Sequence, residues 1–237
     1  MTEQLRSLAD LLDLHELDRQ IDRLLERRGA LPELDQYKAA DAHVRELKEE
    51  RDRLATDLRE LSLQFDKTSG ELEVTEDKAN REESRLYAGG MSARDADYLR
   101  REVEMLRAKV ASMEEAALQV METRETVEQN VEAVAARLAA AETEEARLEE
   151  SIKDQWRVID AEIGAKERRK EDIVPMIEPD LLELYEDLRS DRDGDVVGAL
   201  DDGICGACHL KLSAAEEARA RKEDPPRCIH CRAILVP

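Results

Sequence analysis

Aromatic residues are scarce in this chain, and their scarcity limits the folds that it can adopt. Among 237 residues there are four Tyr, one Trp and one Phe, whereas 40% are Asp, Glu, Lys or Arg. A globular domain of this length normally builds its core around more rings. The abundance of Ala, Glu, Leu and Arg favours long helices packed along narrow apolar seams. The composition therefore predicts a mainly α protein.

Long apolar runs and catalytic motifs are also missing. No stretch approaches the length of about 20 apolar residues that spans a bilayer, and the N-terminus does not resemble a secretion signal. We therefore expect a cytoplasmic protein without membrane contact. The sequence has no phosphate-binding glycine loop and no recognisable context for a serine or cysteine nucleophile. We predict no enzymatic activity and no small-molecule substrate.

Cysteine is absent until residue 205, and all four cysteines then occur as two C-x-x-C pairs separated by 19 residues. Two pairs at this separation are typical of a tetrahedral zinc site. The tail that carries them has too little apolar surface to fold alone, so a bound metal would supply the missing stability. The spacing predicts one structural Zn²⁺ held by Cys205, Cys208, Cys228 and Cys231.

Three alternatives to this zinc site stay open at the level of sequence. The cysteines could form two disulfides, although a reducing compartment disfavours them. One pair could be a redox C-x-x-C, although such a pair normally lies beside a βαβ unit. His209 or His230, next to the cysteines, could replace one of them as ligand. The other two histidines, His15 and His43, stand among helical charges and are expected to be solvated.

Apolar residues recur at alternating steps of three and four along two long segments. The first runs from Leu14 to Ala79, and the second runs from Leu99 to Ile163. A repeat of 3.5 residues held over this distance is typical of a coiled coil, because it keeps one apolar stripe facing a partner helix. The sequence therefore predicts a coiled coil that uses both segments.

A turn lies almost midway between the two segments. Gly89 and Gly90 break the first helix, and Ser92 followed by Asp95 resembles a capping box that opens the next one. These features favour a single chain that folds back on itself, with residue i near residue 181−i. A parallel homodimer of one continuous rod is the alternative.

The fold class that we predict is a long antiparallel coiled-coil hairpin followed by a small zinc ribbon of short β-strands and a short helix.

Prolines and glycines mark the boundaries between the predicted domains. Pro175 and Pro179 end the second arm of the hairpin, and Asp193-Gly194 closes a short helix with an apolar face. The predicted domains are the hairpin at 1–175, with a kink near 29–32 and a turn near 87–92, a connecting helix and loop at 176–195, and the C4 zinc ribbon at 196–237.

The net charge of −21 lies entirely in the first 200 residues, because the six acids and six bases that follow cancel. An acidic rod repels phosphate backbones, so a nucleic-acid contact would have to come from the tail or from local basic stretches. The tail offers no aromatic ring for stacking on bases. Its candidate nucleic-acid contacts are Arg219, Arg221, Lys222, Arg227 and Arg232.

Three segments of the sequence are distinctive: Arg85–Gly89 with Glu102 and Leu106 after it, Leu182 with Tyr185 and Leu188, and Cys228–Leu235. In these segments the chain resembles a bacterial family of coiled-coil proteins that end in a C4-type zinc ribbon. The resemblance implies a helical hairpin with a zinc ribbon at its base, and a non-enzymatic role as an adaptor or as a nucleic-acid-binding protein. Where members of this family often carry glycine after each pair, this chain has His209 and Arg232.

The sequence therefore predicts a zinc-ribbon coiled-coil adaptor that binds macromolecular partners in gene regulation or assembly. The alternative is a regulator that binds RNA or DNA through the basic residues of the ribbon. We expect protein partners and a monomer or a weak homodimer.

Overall fold

The structure is a computed structural model in which residues 3–192 and 194–237 are described. It is mainly α, as the composition predicts, and it has a small C-terminal sheet. The chain forms α1 (Glu3–Gly29), α2 (Pro32–Tyr87), α3 (Ala93–Ile173), a 3₁₀ turn (Val174–Met176), α4 (Pro179–Asp191), β1 (Val197–Asp201), β2 (Ile204–Cys205), α5 (Ala214–Ala220) and β3 (Ile234–Val236).

The helices and strands group into two compact units. The first contains the chain up to Leu34 together with Glu150–Pro237, and the second is Asp35–Glu149. The predicted division into three domains is a different partition and stays a prediction. None of the helices in the described part of the chain is both long and apolar enough to cross a membrane.

The second unit is an antiparallel helical hairpin formed by α2 and α3. Val44 and Leu47 of α2 pack against Val134 and Leu138 of α3, and all four side chains are buried. An ion pair flanks this seam, with 3.0 Å between Lys48 Nζ and a carboxylate oxygen of α3. These contacts agree with the predicted pairing, in which residue i lies near residue 181−i. The antiparallel hairpin is therefore confirmed, and α2 pairs with α3 of the same chain.

The turn of the hairpin has the chemistry that the sequence predicts. Gly89 and Gly90 adopt φ values of 75° and 84°, in the left-handed region where a residue without a Cβ atom is favoured. The Ser92 hydroxyl accepts a hydrogen bond from the backbone N–H of Asp95 at 3.2 Å, which caps the first turn of α3. The chain therefore reverses between Tyr87 and Ala93.

In the first unit α3 packs against α1. Ile21 and Leu24 of α1 meet Ile159 and Ile163 of α3 in one buried cluster. The pattern of apolar residues in the sequence places these four side chains on facing stripes. The predicted pairing of α1 with the C-terminal part of α3 is therefore confirmed as well.

The break between α1 and α2 is closed by a tryptophan. Trp156 Nε1 donates a hydrogen bond to the carbonyl oxygen of Arg28 at 3.1 Å, one of the acceptors that a helix end leaves without a partner. The guanidinium of Arg28 lies 4.5 Å from the centre of the same indole ring. Pro32 then occupies the first position of α2, where its missing N–H costs no hydrogen bond.

The C-terminal sheet has the strand order β2-β1-β3. β1 and β2 are antiparallel, with Leu200 opposite Cys205, whereas β1 and β3 are parallel, with Val197 opposite Ile234. Asp202 and Gly203 join β1 to β2 with φ values of 48° and 73°, the backbone of a two-residue hairpin turn.

Helix α5 begins at a complete capping box. The Ser213 side chain accepts from the backbone N–H of Glu216, and the Glu216 carboxylate accepts from the backbone N–H of Ser213. The short helix and the short strands that the sequence predicts for this region are both present.

Helix α4 attaches the sheet to α1 through a shared core. Leu11 and Leu14 of α1, Tyr185 of α4, and Val196 and Ile234 beside or within the sheet are each at most 2% exposed. The apolar face that the sequence predicts for the short helix is the face that makes this contact. The expectation that Asp193-Gly194 closes that helix concerns Asp193, which lies outside the described residues, and α4 ends at Asp191.

His15 is buried in this core, so the prediction that it is solvated is wrong. Its side chain packs edge-on against the ring of Tyr185, with 5.9 Å between the ring centroids. Its Nε2 atom lies 3.5 Å from a carboxylate oxygen of Asp195, which also pairs with Arg19 at 2.9 Å. Burial lowers the pKa of His15 and outweighs the opposing effect of Asp195. His43, in contrast, is half exposed on α2.

Candidate metal centre

The two C-x-x-C pairs form two loops of the same design. In the first, the N–H of His209 donates to the carbonyl of Cys205 at 2.8 Å, and the N–H of Cys205 donates to Leu210 at 3.1 Å. The second loop repeats both hydrogen bonds four and five residues after Cys228, at Arg232 and Ala233, each at 2.9 Å. We call these segments the first and second knuckles, residues 205–210 and 228–233.

The backbone requires glycine-like geometry at both knuckles. His209 has a φ of 58° and Arg232 has a φ of 61°, values that residues with a side chain rarely adopt. Each of these residues closes its knuckle with a left-handed turn.

The knuckles bring the four cysteine sulfurs into one group. All four Sγ atoms lie within 4.8 Å of one another, and the group could hold a metal ion. Cys205 Sγ is 3.8 Å from Cys231 Sγ, and Cys208 Sγ is 3.9 Å from Cys228 Sγ. In a tetrahedral site with zinc–sulfur bonds of about 2.3 Å, neighbouring sulfurs lie about 3.8 Å apart. The cysteines are free thiols in this structure, and their spacing fits a metal ion at the centre.

The surroundings of the sulfurs are apolar. Cys205 and Cys228 are completely buried against Leu200, Leu212 and Leu235. The burial raises the pKa of the Cys205 thiol and also that of Cys231. At Cys228 burial acts in the same direction, but backbone N–H groups of the second knuckle prevail and lower the pKa. A cation among the sulfurs would favour the thiolate at every one of them.

The histidines beside the knuckles do not enter the sulfur group. Among the described residues the group consists of cysteines alone, and the side chains of His209 and His230 are exposed. Four sulfurs complete a tetrahedron, so the geometry does not require a nitrogen ligand. That Cys205, Cys208, Cys228 and Cys231 ligate zinc stays a prediction.

The five basic residues predicted to contact nucleic acid have different surroundings. Arg221 pairs with Glu217 at 2.8 Å, and Arg232 lies 3.3 Å from Glu223. Arg219 and Lys222 are exposed, whereas Arg227 is half-buried. Contact of these residues with nucleic acid stays a prediction.

Arg192 joins two of these residues to form a cluster that sequence reasoning missed. Its Nη1 donates a hydrogen bond to the carbonyl oxygen of Cys231, across 39 positions of the chain. Arg227 precedes the second knuckle, and Arg232 is the residue that closes it. We call Arg192, Arg227 and Arg232 the arginine cluster. Arg192 lies in a connecting segment without a motif, so the sequence carried no signal for it.

Comparison with known proteins identifies relatives over nearly the whole length. The chain is 26% identical over 229 residues to the uncharacterized protein Rv2229c of Mycobacterium tuberculosis, covering 95% of this chain and 93% of that protein. A solved structure from Mycobacterium smegmatis matches with a TM-score of 0.81 and 26% identity, covering 98% of this chain and 97% of that one.

A second solved structure supports the fold alone. CT398 from Chlamydia trachomatis matches with a TM-score of 0.76 and 20% identity, covering 99% of each chain. The family model of the CT398-like coiled coil hairpin domain matches residues 14–193, which excludes the cysteines. Because this model covers more than half of the sequence, the chain belongs to the CT398-like coiled coil hairpin domain family.

Proposed function

We propose that the protein is a non-enzymatic adaptor in which a zinc ribbon and a coiled-coil hairpin bind macromolecular partners, in gene regulation or in assembly. The observation that carries the proposal is the group of four sulfurs at tetrahedral spacing in the ribbon. Four thiolates complete the coordination of zinc and leave no position for water or substrate, so the metal would act structurally. Folding of the ribbon would then depend on zinc.

The apolar seam of the hairpin is buried between its own two helices, so a partner would bind to other parts of the hairpin surface. Val44, Leu47, Val134 and Leu138 are buried between α2 and α3, so a partner would meet the polar flanks, the turn or the ribbon. Two of the few aromatic residues stand at the ends of the helices that meet at the turn. Tyr87 is 79% exposed and Tyr98 is 72% exposed, and tyrosine is enriched in the centres of protein interfaces.

Nucleic-acid binding through the ribbon is the second candidate. The arginine cluster favours it, as do the exposed side chains of Arg219 and Lys222. The ion pairs of Arg221 and Arg232 with carboxylates act against it, because they reduce the positive charge that a phosphate backbone would meet.

A pull-down from a bacterial lysate tests both candidates. The bait is the zinc-loaded full chain. A parallel pull-down uses the Cys228→Ser variant, in which the ribbon is disrupted. Each pull-down is done with and without nuclease treatment of the lysate. An adaptor captures protein partners that resist nuclease and that are lost or weakened with Cys228→Ser. Proteins that disappear after nuclease treatment would indicate nucleic-acid binding instead. Identical capture by the bait and by empty resin would contradict the adaptor role.

A further inference from the structure

One face of α3 near the turn carries exposed cationic and apolar side chains in alternation. Its residues follow one another at steps of four, three, four and four positions, which places them on the same side of a helix. At a rise of 1.5 Å per residue they extend over about 22 Å. We call this set the outer stripe, and it consists of Arg94, Tyr98, Arg101, Met105 and Lys109.

The outer stripe takes no part in the contact between α2 and α3. The seam of α3 in this region is formed by Leu99, Val103 and Val110, which are buried and lie on nearly the opposite side of the helix. Tyr98 is 72% exposed and Met105 is 68% exposed. The outer face of a surface helix normally consists of charged and polar residues. These two large apolar side chains are therefore available to a partner.

The cations of the outer stripe are only partly neutralised. Arg101 pairs with Asp97 at 2.8 Å, and its side chain stays 76% exposed. Arg94 and Lys109 are exposed, and neither forms an ion pair within the described part of the chain. Three cations and one carboxylate leave an excess of two positive charges, on a chain whose net charge is −21.

The other carboxylates in this part of α3 do not cancel the excess. Asp95 lies in the first turn of α3, where its charge compensates the positive end of the helix dipole. Glu102 pairs with Lys78 of α2 at 3.1 Å. Glu104 lies about a quarter of a turn away from the stripe. Positive charge therefore prevails along the stripe itself.

The residue types of the outer stripe are those of protein interfaces. Tyrosine, methionine and arginine are enriched in the buried centres of interfaces, whereas aspartate and glutamate are depleted there. Methionine is unbranched and adapts to contacts of different shape. A straight row of side chains on one helix fits a second helix, whose side chains pack between those of the first.

We propose that the outer stripe binds an amphipathic helix of a partner protein, and that the binding face of this helix carries apolar and acidic residues. This inference rests on the proposed adaptor function and names the surface and the chemistry of one partner. Apolar side chains of the partner cover Tyr98 and Met105. Its carboxylates pair with Arg94, Arg101 and Lys109, and this charge complementarity gives specificity.

An acidic helix fits the outer stripe better than a nucleic-acid strand does. A phosphate backbone can pair with Arg94 and Lys109, and a base can stack on Tyr98. Met105 then has no aliphatic partner, and its exposed surface stays in water. The amphipathic helix makes use of all five residues.

A second copy of this chain is a poorer fit as well. In a dimer with twofold symmetry the same surface of both copies meets. The positive excess of one outer stripe would then face the positive excess of the other, and like charges in an interface disfavour association.

The test is fluorescence anisotropy of a labelled synthetic peptide titrated with the zinc-loaded full chain at about 0.15 M salt. The peptide has about 16 residues, with leucine at alternating steps of three and four and with glutamate at the flanking positions. A second peptide has the same composition in scrambled order, so it has the same charge but no apolar face. We expect the amphipathic peptide to bind at least about tenfold more tightly than the scrambled one. Absence of binding by the amphipathic peptide, or equal binding of the two, overturns the inference.

Tyr98→Gln and Arg94→Gln are the informative variants, because both side chains are exposed and their removal leaves the seam intact. Tyr98→Gln should weaken binding of the amphipathic peptide at least about tenfold, as expected for a buried aromatic anchor of an interface. Arg94→Gln should weaken it about threefold or more, through the loss of one ion pair. Circular dichroism at 222 nm shows that each variant keeps its helices.

The matched controls lie on α3 outside the outer stripe. Leu118→Gln removes an apolar side chain that is 54% exposed, and Arg157→Gln removes an exposed arginine that pairs with Asp154. Each should change the affinity less than about twofold. Wild-type binding by Tyr98→Gln, or an equal loss in Leu118→Gln, overturns the assignment.

Two parallel measurements identify another occupant of the outer stripe. One is titration of a single-stranded oligonucleotide of about 20 nucleotides, and the other is sedimentation of the chain alone. Oligonucleotide binding that Tyr98→Gln abolishes, without peptide binding, assigns the stripe to nucleic acid. Self-association that Tyr98→Gln abolishes, without peptide binding, assigns it to a second copy. Either result overturns the inference.

The peptide titration and the pull-down separate this inference from the adaptor function. A negative titration beside a pull-down with nuclease-resistant partners removes the outer stripe as a binding surface and leaves the adaptor function. Peptide binding that Tyr98→Gln weakens, beside a pull-down that matches empty resin, contradicts the adaptor function alone.

Discussion

Tyr185 donates a hydrogen bond to Asp18 across 2.7 Å inside the core that joins α1 to α4. Asp18 is 2% exposed, and it also pairs with Lys170 of α3 and with Arg189 of α4, the latter at 2.7 Å. A buried carboxylate is tolerated only when such partners compensate for its lost hydration. Asp18 therefore connects three helices of the first unit through one side chain.

Asp18→Asn should lower the free energy of unfolding by about 3 kcal/mol, because it removes the charge and leaves Lys170 and Arg189 facing a neutral amide in a buried place. Urea denaturation followed by circular dichroism measures the change. The matched control is Asp22→Asn, since Asp22 pairs with Arg189 as well but is half exposed. That variant should lose less than about 1 kcal/mol. Equal losses in the two variants would show that burial at Asp18 is unimportant.

His15 should make the stability of the first unit depend on pH. Burial lowers its pKa below the usual 6.5 in the folded state. The unfolded state therefore binds more protons as the pH falls through about 6.5, and stability decreases in that direction until the pKa of the folded state is reached. His15→Gln should remove this part of the dependence. Urea titrations between about pH 5 and 8 measure this dependence. An unchanged profile in His15→Gln would contradict the prediction.

The sequence predicts the parts of this fold that depend on local pattern. The heptad seam, the Gly89-Gly90 turn and the Ser213 cap are each determined by residues within a few positions of one another, so a pattern in the sequence identifies them. The environment of His15 depends on Tyr185 and Asp195, which are 170 or more positions away. No local pattern reports such a contact, and the prediction for His15 was wrong for this reason.

The candidate site likewise has one part that the sequence predicts and one part that it does not. The four cysteines are recognisable because each pair has the spacing of a knuckle, and the structure brings both pairs together. Arg192 has no such spacing, because its position depends on where α4 ends and on how the sheet docks. The grouping of Arg192 with Arg227 and Arg232 therefore required the structure.

Cys228→Ser should abolish stoichiometric zinc binding and leave the helices in place. It removes one of four ligands from a module that has little other stabilisation, whereas α1 to α3 have their own buried seams. Elemental analysis of reduced, purified protein measures the metal, and circular dichroism at 222 nm measures the helices. One zinc per chain in the variant would show that Cys228 is not a ligand.

His209→Gly tests whether a histidine replaces one of the cysteines. The left-handed backbone of His209 favours glycine, so the variant should keep one zinc per chain and gain about 1 kcal/mol of stability in the ribbon. Competition with a chromogenic chelator measures the affinity. A loss of zinc comparable to that in Cys228→Ser would identify His209 as the ligand instead.

Gly198→Ala should weaken zinc binding although residue 198 is not a ligand. A Cβ atom at position 198 would lie 2.5 Å from the backbone nitrogen of Ala207 and 2.9 Å from the carbonyl carbon of Gly206. Both atoms belong to the backbone of the first knuckle, which is held to β1 by a hydrogen bond of 2.8 Å from Gly206 to Ala199. The knuckle must therefore move away from β1, at a cost of about 1 to 3 kcal/mol.

The expected result for Gly198→Ala is a loss of zinc affinity of about tenfold or more in chelator competition. The matched control is Gly70→Ala on α2, where no described atom beyond the adjoining residues and the nearby helix backbone lies within 4 Å of the added Cβ. Since glycine in a helix interior is less favourable than alanine, Gly70→Ala should stabilise α2 by about 1 kcal/mol and leave the zinc affinity unchanged. Wild-type affinity in Gly198→Ala would mean that β1 and the first knuckle are not held as close together as the structure places them.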